Sequence, residues 1–516
     1  MSSSESDSER SNSSSSSNSS SENSNSNSNS NAQGSTTPTA TLQEEQKRKD
    51  SDDNNPNEGS QAKKSNKHNH TLSWENIVHK VKIPAKRNWK FQVIDEEYEK
   101  IILSGVSGFA KAGEVLAIMG PSGGGKTSLL DILAQRTELK DSEESENTNV
   151  ILVNGKPVEF FSCAYVKQED LLMASATVRE TLQYSAQLRL PPEIPYEAKM
   201  ERVEKLINTL ELNQVAETRI GNELYRGVSG GEKKRVAIGV EMITNPKLLF
   251  LDEPTTGLDA SMSLSVLKSL KRLAKENHCT IICTIHQPRY EIFEMFDKLM
   301  LLVGGKVAYF GEVPKAIDFF AEAGFVCQDS ENPADFFLDV LQNKDPNNPE
   351  GEANNNKFAE TIVDAYNASK LKEENLKKLT KIRETAPQIS KEEKKEAKKN
   401  RLQCVATPWT QLTVLLTRNF RNSLRDPIVF YGQMAQYLLM GLLAGFLYYQ
   451  IDHDQEGLFK IQMFLFWDAI YMSMIASFTY VLTFSAIRNL YNRERQSNSY
   501  RTGYFLIALS LYQVPM

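Results

Sequence analysis

The sequence predicts an α/β domain with a largely parallel central sheet, built around a phosphate-binding loop. A disordered N-terminal tail precedes it and an incomplete all-α transmembrane domain follows it. Three observations carry that expectation. Between about residue 71 and Leu341, non-alternating apolar runs of four to six residues alternate with helical patterns, as in strands buried on both faces. One such run leads directly into Gly120-Pro121-Ser122-Gly123-Gly124-Gly125-Lys126-Thr127. Toward the other end, two long stretches are almost free of charge.

The first 70 residues are Ser/Asn-rich and contain almost nothing apolar. They cannot bury enough surface to offset their ordering entropy, so they are expected to be disordered. No apolar leader core opens the chain, so no signal peptide is expected. The 516 residues carry a formal net charge of −6, and nothing in that balance points to nucleic acid. Cys163, Cys279, Cys283, Cys327 and Cys404 form no CxxC pair, and the histidines do not join them at metal-ligand spacing. Neither zinc nor a disulfide framework is expected, and the compartment reads as reducing.

Order begins near Thr71. The run Val115-Leu116-Ala117-Ile118-Met119 enters the glycine loop, and Ser128-Leu129-Leu130-Asp131-Ile132-Leu133 leaves it at helical spacing. Strand, loop and helix together are the setting in which glycines turn backbone N–H groups around an anion. Lys126 then reaches the terminal phosphates, and the Thr127 hydroxyl sits on Mg²⁺. Val150–Val153, Leu248–Leu251 and Thr280–Ile285 are the further strands of the sheet. Thr177-Val178-Arg179-Glu180 is a capping box, and Asn332-Pro333 opens a helix over Ala334–Leu341.

Leu248-Leu249-Phe250-Leu251 ends in Asp252-Glu253. Asp252 is placed to hold Mg²⁺ through water, and Glu253 to polarise an attacking water. Val228-Ser229-Gly230-Gly231-Glu232 is a second glycine turn opening a helix. Its hydroxyl, N–H groups and helix terminus suit a γ-phosphate. Gln168 and His286 have no meaning alone; their order along the chain supplies it.

Residues 346–407 read as linker and exposed, highly charged helix. An amphipathic segment over 408–426 follows. Trp409, Leu412, Leu415, Leu416, Phe420 and Leu424 fall on one side, and Arg418, Arg421 and Arg425 cluster near its end, which suits a helix at a membrane surface. Residues 428–451 and 463–487 are long enough to span a bilayer; the second contains one charge, Asp468. Arginines flank the pair on both outer sides, while the loop between them is acidic, which places the nucleotide domain in the cytoplasm. Gly441 and Gly445 form one small-xxx-small pair. The run 504–516 is too short to cross and reads as the start of a third span.

The order of phosphate loop, Gln168, Ser229 turn, Asp252-Glu253, Asp259 and His286 resembles the nucleotide-binding domain of ATP-binding cassette transporters. Thr177–Leu190 with Pro191, Arg226–Arg235, Asn332–Val340, and Arg493-Glu494-Arg495 leading to Tyr500-Arg501 look like the G subfamily of half-transporters. Glu232 is the form usual in that subfamily. The resemblance implies an α/β P-loop NTPase over 71–345 and a membrane domain over 408–516. It implies ATP and Mg²⁺ as ligands. Gly120, Pro121, Ser122, Gly123, Gly124, Gly125, Lys126, Thr127 and Ser128 would bind the nucleotide, with Thr127, Gln168 and Asp252 on the metal side.

By the same resemblance, Glu253 is the catalytic base and His286 the γ-phosphate switch. Gln168 contacts the metal or the attacking water. Ser229, Gly230 and Gly231 complete an ATP held by the opposite protomer, and Asp259 connects the two sites. The partner is then another half-transporter, identical or not, in a lipid bilayer, and the solute is hydrophobic or amphipathic. Trp89, Phe91 and Tyr98 stand as candidates for the adenine-stacking aromatic. The family's membrane domain is longer than the spans readable here, so a shortened membrane domain is expected. The alternative function is a non-transporting, membrane-anchored cassette that pairs with a full-length half-transporter.

Overall fold

The computed structural model describes residues 71–83, 86–87, 93–95, 97–137, 149–158, 161–222, 225–328, 331–342, 357–384, 404–425, 427–449 and 454–511, with positions 390 and 393. The 1–70 tail, Trp89, Phe91 and residues 512–516 lie outside the described residues.

Strands β1 (Leu72–Ile83), β2 (Lys86–Arg87), β3 (Val93–Asp95), β4 (Tyr98–Ala110) and β5 (Val115–Met119) precede helix α1 (Lys126–Leu133). Then come β6 (Val150–Val153), β7 (Lys156–Pro157), β8 (Cys163–Val166), α2 (Val178–Arg189), α3 (Tyr196–Thr209) and α4 (Gly230–Met242). The chain continues with β9 (Leu248–Leu251), α5 (Ala260–Asn277), β10 (Thr280–Thr284), α6 (Tyr290–Phe293), β11 (Lys298–Val303) and β12 (Lys306–Glu312). Helices α7 (Lys315–Glu322), α8 (Pro333–Leu341), α9 (Lys357–Ala368) and α10 (Lys370–Glu384) follow. The last helices are α11 (Pro408–Arg425), α12 (Pro427–Leu447), α13 (Gln455–Gln496) and α14 (Thr502–Leu511).

The central sheet runs β12-β11-β5-β10-β9-β8. Strand pairs β11·β5, β5·β10, β10·β9 and β9·β8 are parallel, and β12 is an antiparallel edge. Every residue of β5, β9 and β10 is buried, which is why their sequences are unbroken apolar runs. Val150–Val153 departs from expectation. It pairs antiparallel with β1 in a separate four-stranded sheet, β4-β1-β6-β7. The reason is local: Asn154 (φ 51°) and Gly155 (φ 75°) form the two-residue turn of a hairpin to β7, which directs the strand away from the parallel layer.

Helices α9 and α10 fall within the expected linker, yet they pack on the sheet domain. Ile362, Val363, Tyr366 and Leu379 join its core, and buried Asn375 donates to the Phe310 carbonyl at 2.9 Å. Helix α11 buries Gln411, Val414, Leu415, Arg418 and Asn419 and leaves Trp409, Phe420 and Leu424 exposed. Its buried side is therefore partly polar and turned toward protein, and only part of the expected apolar face lies open. Helix α12 exposes Leu438, Leu439, Leu442, Phe446 and Leu447. Among the described residues, no helix is long and apolar enough to cross a membrane. Of the expected spans, 428–451 begins on α12 and runs past the described residues at positions 450 and 451, and 463–487 lies within α13.

Candidate nucleotide site

The parallel strands β5, β9 and β10 end at one edge of the sheet, in register. Thr284 lies opposite Ile118, and Cys283 opposite Leu251. Their continuations, the Gly120 loop, Asp252-Glu253 and His286, are thereby brought together outside the carboxyl ends of the strands, where open α/β sheets hold ligands. Sequence spacing alone cannot show this, because 133 positions separate Glu253 from Gly120.

Gly120 and Gly125 show why the loop needs glycine. Gly120 has φ +149°, and a Cβ there would lie 2.0 Å from the Leu302 carbonyl oxygen. Gly125 has φ +98° as the residue capping α1, and a Cβ there would lie 2.7 Å from Leu103 Cδ2. The Lys126 ammonium is buried and donates to the carbonyls of Gly120 (2.8 Å) and Pro121 (3.0 Å). Burial lowers its pKa below the ordinary lysine value, against the pull of Glu253 and Asp252. The cation therefore sits in a partly dehydrated place where an added phosphate would be strongly attracted.

Thr127 Oγ1 donates to Asp252 Oδ1 at 3.2 Å, and Thr284 Oγ1 donates to the same oxygen at 2.7 Å. Tyr165 donates to Asp252 Oδ2 at 3.4 Å. Among the described residues no group of three or more His, Cys, Asp or Glu forms a metal cage. One carboxylate beside one hydroxyl does fit Mg²⁺, which keeps waters and takes phosphate oxygens for its remaining positions.

Glu253 has a left-handed backbone, φ +44°. Its neighbours fix that conformation. Its N–H donates to Thr284 Oγ1 at 2.9 Å, and its Oε2 accepts from Gln168 Nε2 (3.0 Å) and Thr256 Oγ1 (2.9 Å). A non-glycine residue held in this region costs about 1–3 kcal/mol, and such strain gathers at functional positions.

Ser229 caps α4 in a reciprocal box with Glu232, whose carboxylate takes both the Ser229 N–H and hydroxyl at 2.8 Å. Asp259 caps α5 by accepting from Met262 N at 2.8 Å. A Cβ on Gly231 would lie 2.9 Å from Met262 Cβ, and one on Gly230 would lie 3.2 Å from Leu258 Cδ2. The two turns are thus close neighbours within the chain. Among the described residues, no hydrogen bond or ion pair joins Ser229, Asp259 or His286 to the Lys126–Asp252–Glu253 group. The loop after His286 is held from α8, where Asn332 Nδ2 donates to the Pro288 carbonyl at 2.9 Å. Of the adenine candidates, Tyr98 is exposed at the start of β4.

Several contacts around the candidate site carried no sequence signal. Lys234 is fully buried on α4 and donates to the Gln168 carbonyl at 2.7 Å while pairing with Asp170 at 2.9 Å. One ammonium therefore joins the helix that Ser229 caps to the Gln168 loop. Glu180, readable only as a capping residue, also takes Arg425 (2.6 and 3.0 Å) and Arg421 (3.2 Å) from α11. Burial would raise the Glu180 carboxyl; the bonds from Arg425 and Thr177 outweigh it and lower its pKa. Glu241 is buried between Arg189 (3.0 Å) and Arg493 (3.3 Å), the latter from α13. Arg418 of α11 pairs with Glu494 at 2.7 Å, and Glu494 accepts from Tyr500 at 2.6 Å. A second apolar cluster combines Ala176, Tyr184 and Leu188 with Val414, Leu415 and Phe505. These contacts fasten the C-terminal helices to the sheet domain beside α2.

Comparison with known proteins gives matches along the same lines. The family described as "ABC transporter" matches residues 103–256, and "ABC-2 type transporter" families match 410–516 and 286–400. The "Broad substrate specificity ATP-binding cassette transporter ABCG2" of Mus musculus is 38% identical, covering 77% of this chain and 61% of its own length. "ABC transporter G family member 22" of Dictyostelium discoideum is 35% identical, covering 88% and 70%. "ABC transporter G family member 14" of Arabidopsis thaliana is 35% identical, covering 86% and 67%. The chain spans roughly two thirds of the length of the relatives it matches, 61% of the mouse protein.

Proposed function

The chain belongs to the G family of ATP-binding cassette transporters, and on that premise we propose that it binds and hydrolyses ATP as one half of a dimer and couples hydrolysis to the transmembrane movement of a hydrophobic or amphipathic solute. A membrane setting and ATP binding come with the family. The multi-pass arrangement with a cytoplasmic nucleotide domain is supported by the arginines flanking 428–451 and 463–487.

The single observation that carries the reading is the acidic sheet edge in which Lys126, Thr127, Asp252, Glu253 and Gln168 meet. The loop N–H groups and Lys126 would bind the phosphates, and Thr127 and Asp252 would hold the metal ion. Bound Mg²⁺ would neutralise charge on the phosphates during transfer. Glu253 would accept the proton of the attacking water, kept in place by Gln168 and Thr256. His286 would meet the γ-phosphate from the end of β10. Ser229, Gly230 and Gly231 would complete the ATP bound by a second subunit, with Asp259 beside them. The arginine contacts at Glu180 and Glu241 would carry domain movement to α11 and α13.

Replacing Lys126 by Ala removes a charge-assisted donor. ATP affinity, measured with a fluorescent nucleotide analogue on the purified full chain, is expected to fall about 10- to 100-fold. An unchanged affinity would show that the phosphates lie elsewhere.

A further inference from the structure

A cavity of about 1240 Å³ opens beside the candidate metal position. Thr127 and Asp252 line one part of it, and Asn492 and Gln496 from α13 line another. Arg136, just past α1, bridges the two. Its guanidinium lies over the Tyr165 ring, 4.2 Å from the centroid. Its Nε approaches Asp131 at 3.8 Å, and its Nη2 donates to Gln496 Oε1, at the last residue of α13. The Tyr165 hydroxyl in turn donates to Asp252 Oδ2, on the carboxylate that also takes Thr127 and Thr284.

We propose that Arg136 is a positioning residue that ties Asp252, through Tyr165, to Gln496 at the end of α13. The proposal rests on the reading of Asp252 as a metal-side carboxylate. It adds a further connection from the C-terminal helices, separate from those at Glu180 and Glu241, which make no contact with Lys126, Thr127, Asp252 or Glu253. The planar guanidinium suits the task. One face stacks on the phenol while the edge keeps its donors for Asp131 and Gln496, which a lysine cannot do at once. A shift of the α13 terminus pulls on the guanidinium, and the stacked ring carries the displacement to the carboxylate it touches. Two hydrogen bonds joined by a stacked pair share their middle members, so breaking either end loosens the whole.

The test is a mutant cycle in the purified full chain: Arg136→Ala, Tyr165→Phe, Gln496→Ala, and the Arg136→Ala/Gln496→Ala pair. Mn²⁺ binding to the ATP-loaded protein is read by electron paramagnetic resonance, and nucleotide affinity is read separately in EDTA. Each single change is expected to weaken Mn²⁺ binding about fivefold, with the pair no weaker than Arg136→Ala alone. Metal-free nucleotide affinity should stay at the wild-type level. Tyr165→Phe keeps the stacked ring, and Gln496→Ala lies outside the sheet domain, so these two decide the matter even if Arg136→Ala folds poorly. Wild-type Mn²⁺ binding in Gln496→Ala, or losses that multiply in the pair, would overturn the connection. Failure of the underlying reading is separable: Mn²⁺ would then not bind with ATP in the wild type, or Lys126→Ala would leave ATP affinity intact.

Discussion

Glu253→Gln is expected to lower the turnover of ATP about 10²- to 10⁴-fold, the usual worth of a positioned general base, and to leave ATP affinity within a few-fold of wild type. Glutamine preserves the length of the side chain and its reach to Gln168 and Thr256, 3.0 and 2.9 Å away in the wild type. Its backbone conformation, φ +44°, asks the same of glutamine as of glutamate. The loop glycines, Lys126 and Thr127 are untouched, so the phosphates keep their donors. Only the capacity to accept a proton is lost. Single-turnover hydrolysis of radiolabelled ATP and nucleotide binding, measured on the same preparation, separate the two quantities. Turnover at the wild-type rate would remove Glu253 from the role of base.

Glu241→Gln is expected to destabilise the protein by about 3–5 kcal/mol, the cost of leaving buried charge uncompensated. The carboxylate is 3% exposed and lies between Arg189 and Arg493, themselves 9% and 13% exposed. The amide keeps the shape but leaves two guanidinium groups without their counter-ion. Arg493 also donates to the Leu171 carbonyl at 2.9 Å, so the loop between β8 and α2 loosens with it. The midpoint of thermal unfolding in detergent measures the loss, and a midpoint equal to wild type would show that the triad contributes nothing net.

Acid gives a second reading of the same group. Burial pushes the Glu241 carboxyl up, and the guanidinium groups of Arg189 and Arg493 more than reverse this, holding it below its ordinary value of 4.5. A carboxyl with a lowered folded pKa contributes stability that is complete above about pH 4.5 and disappears as pH falls through the folded value. The gap between wild type and Glu241→Gln should therefore be constant at neutral pH and narrow below pH 4.5. A gap that widened in acid would contradict the assigned sign.

The individual turns of the candidate nucleotide edge were legible because local backbone geometry dictates their residues, though not their meeting at one edge. Glycine stands at 120 and 125 where no Cβ fits, and Ser229 and Thr177 each precede a glutamate by three positions, the local spacing of a capping box. Strands β5, β9 and β10 were legible because burial on both faces leaves an unbroken apolar run, whereas β8, only half-buried, and β11 went unread. That same signal misled at Val150–Val153: four apolar residues indicate burial but not the neighbouring strand, and the Asn154-Gly155 turn was the local clue to a hairpin. The placement of α9 and α10 was missed because the short apolar stripe of α9, Ile362, Val363 and Tyr366, follows an Asn/Pro-rich stretch, and the many lysines and glutamates of α10 obscure Leu379. The pairs Glu180–Arg425 and Glu241–Arg493 were out of reach. Partners more than 240 positions apart in one chain leave no spacing to read.

Helix α2 is fastened at both ends. Near its first turn, Glu180 grips Arg421 and Arg425 of α11; at its last residue, Arg189 grips Glu241, which also holds Arg493 of α13. Mechanically this is a beam about 18 Å long, pinned at two points rather than hinged at one. A beam so held cannot swing freely about either pin. Displacement of α11 and α13 together carries it bodily, whereas a pull on only one of them becomes a torque. The sheet domain would thus register whether the two C-terminal helices move in concert, which a single contact could not report.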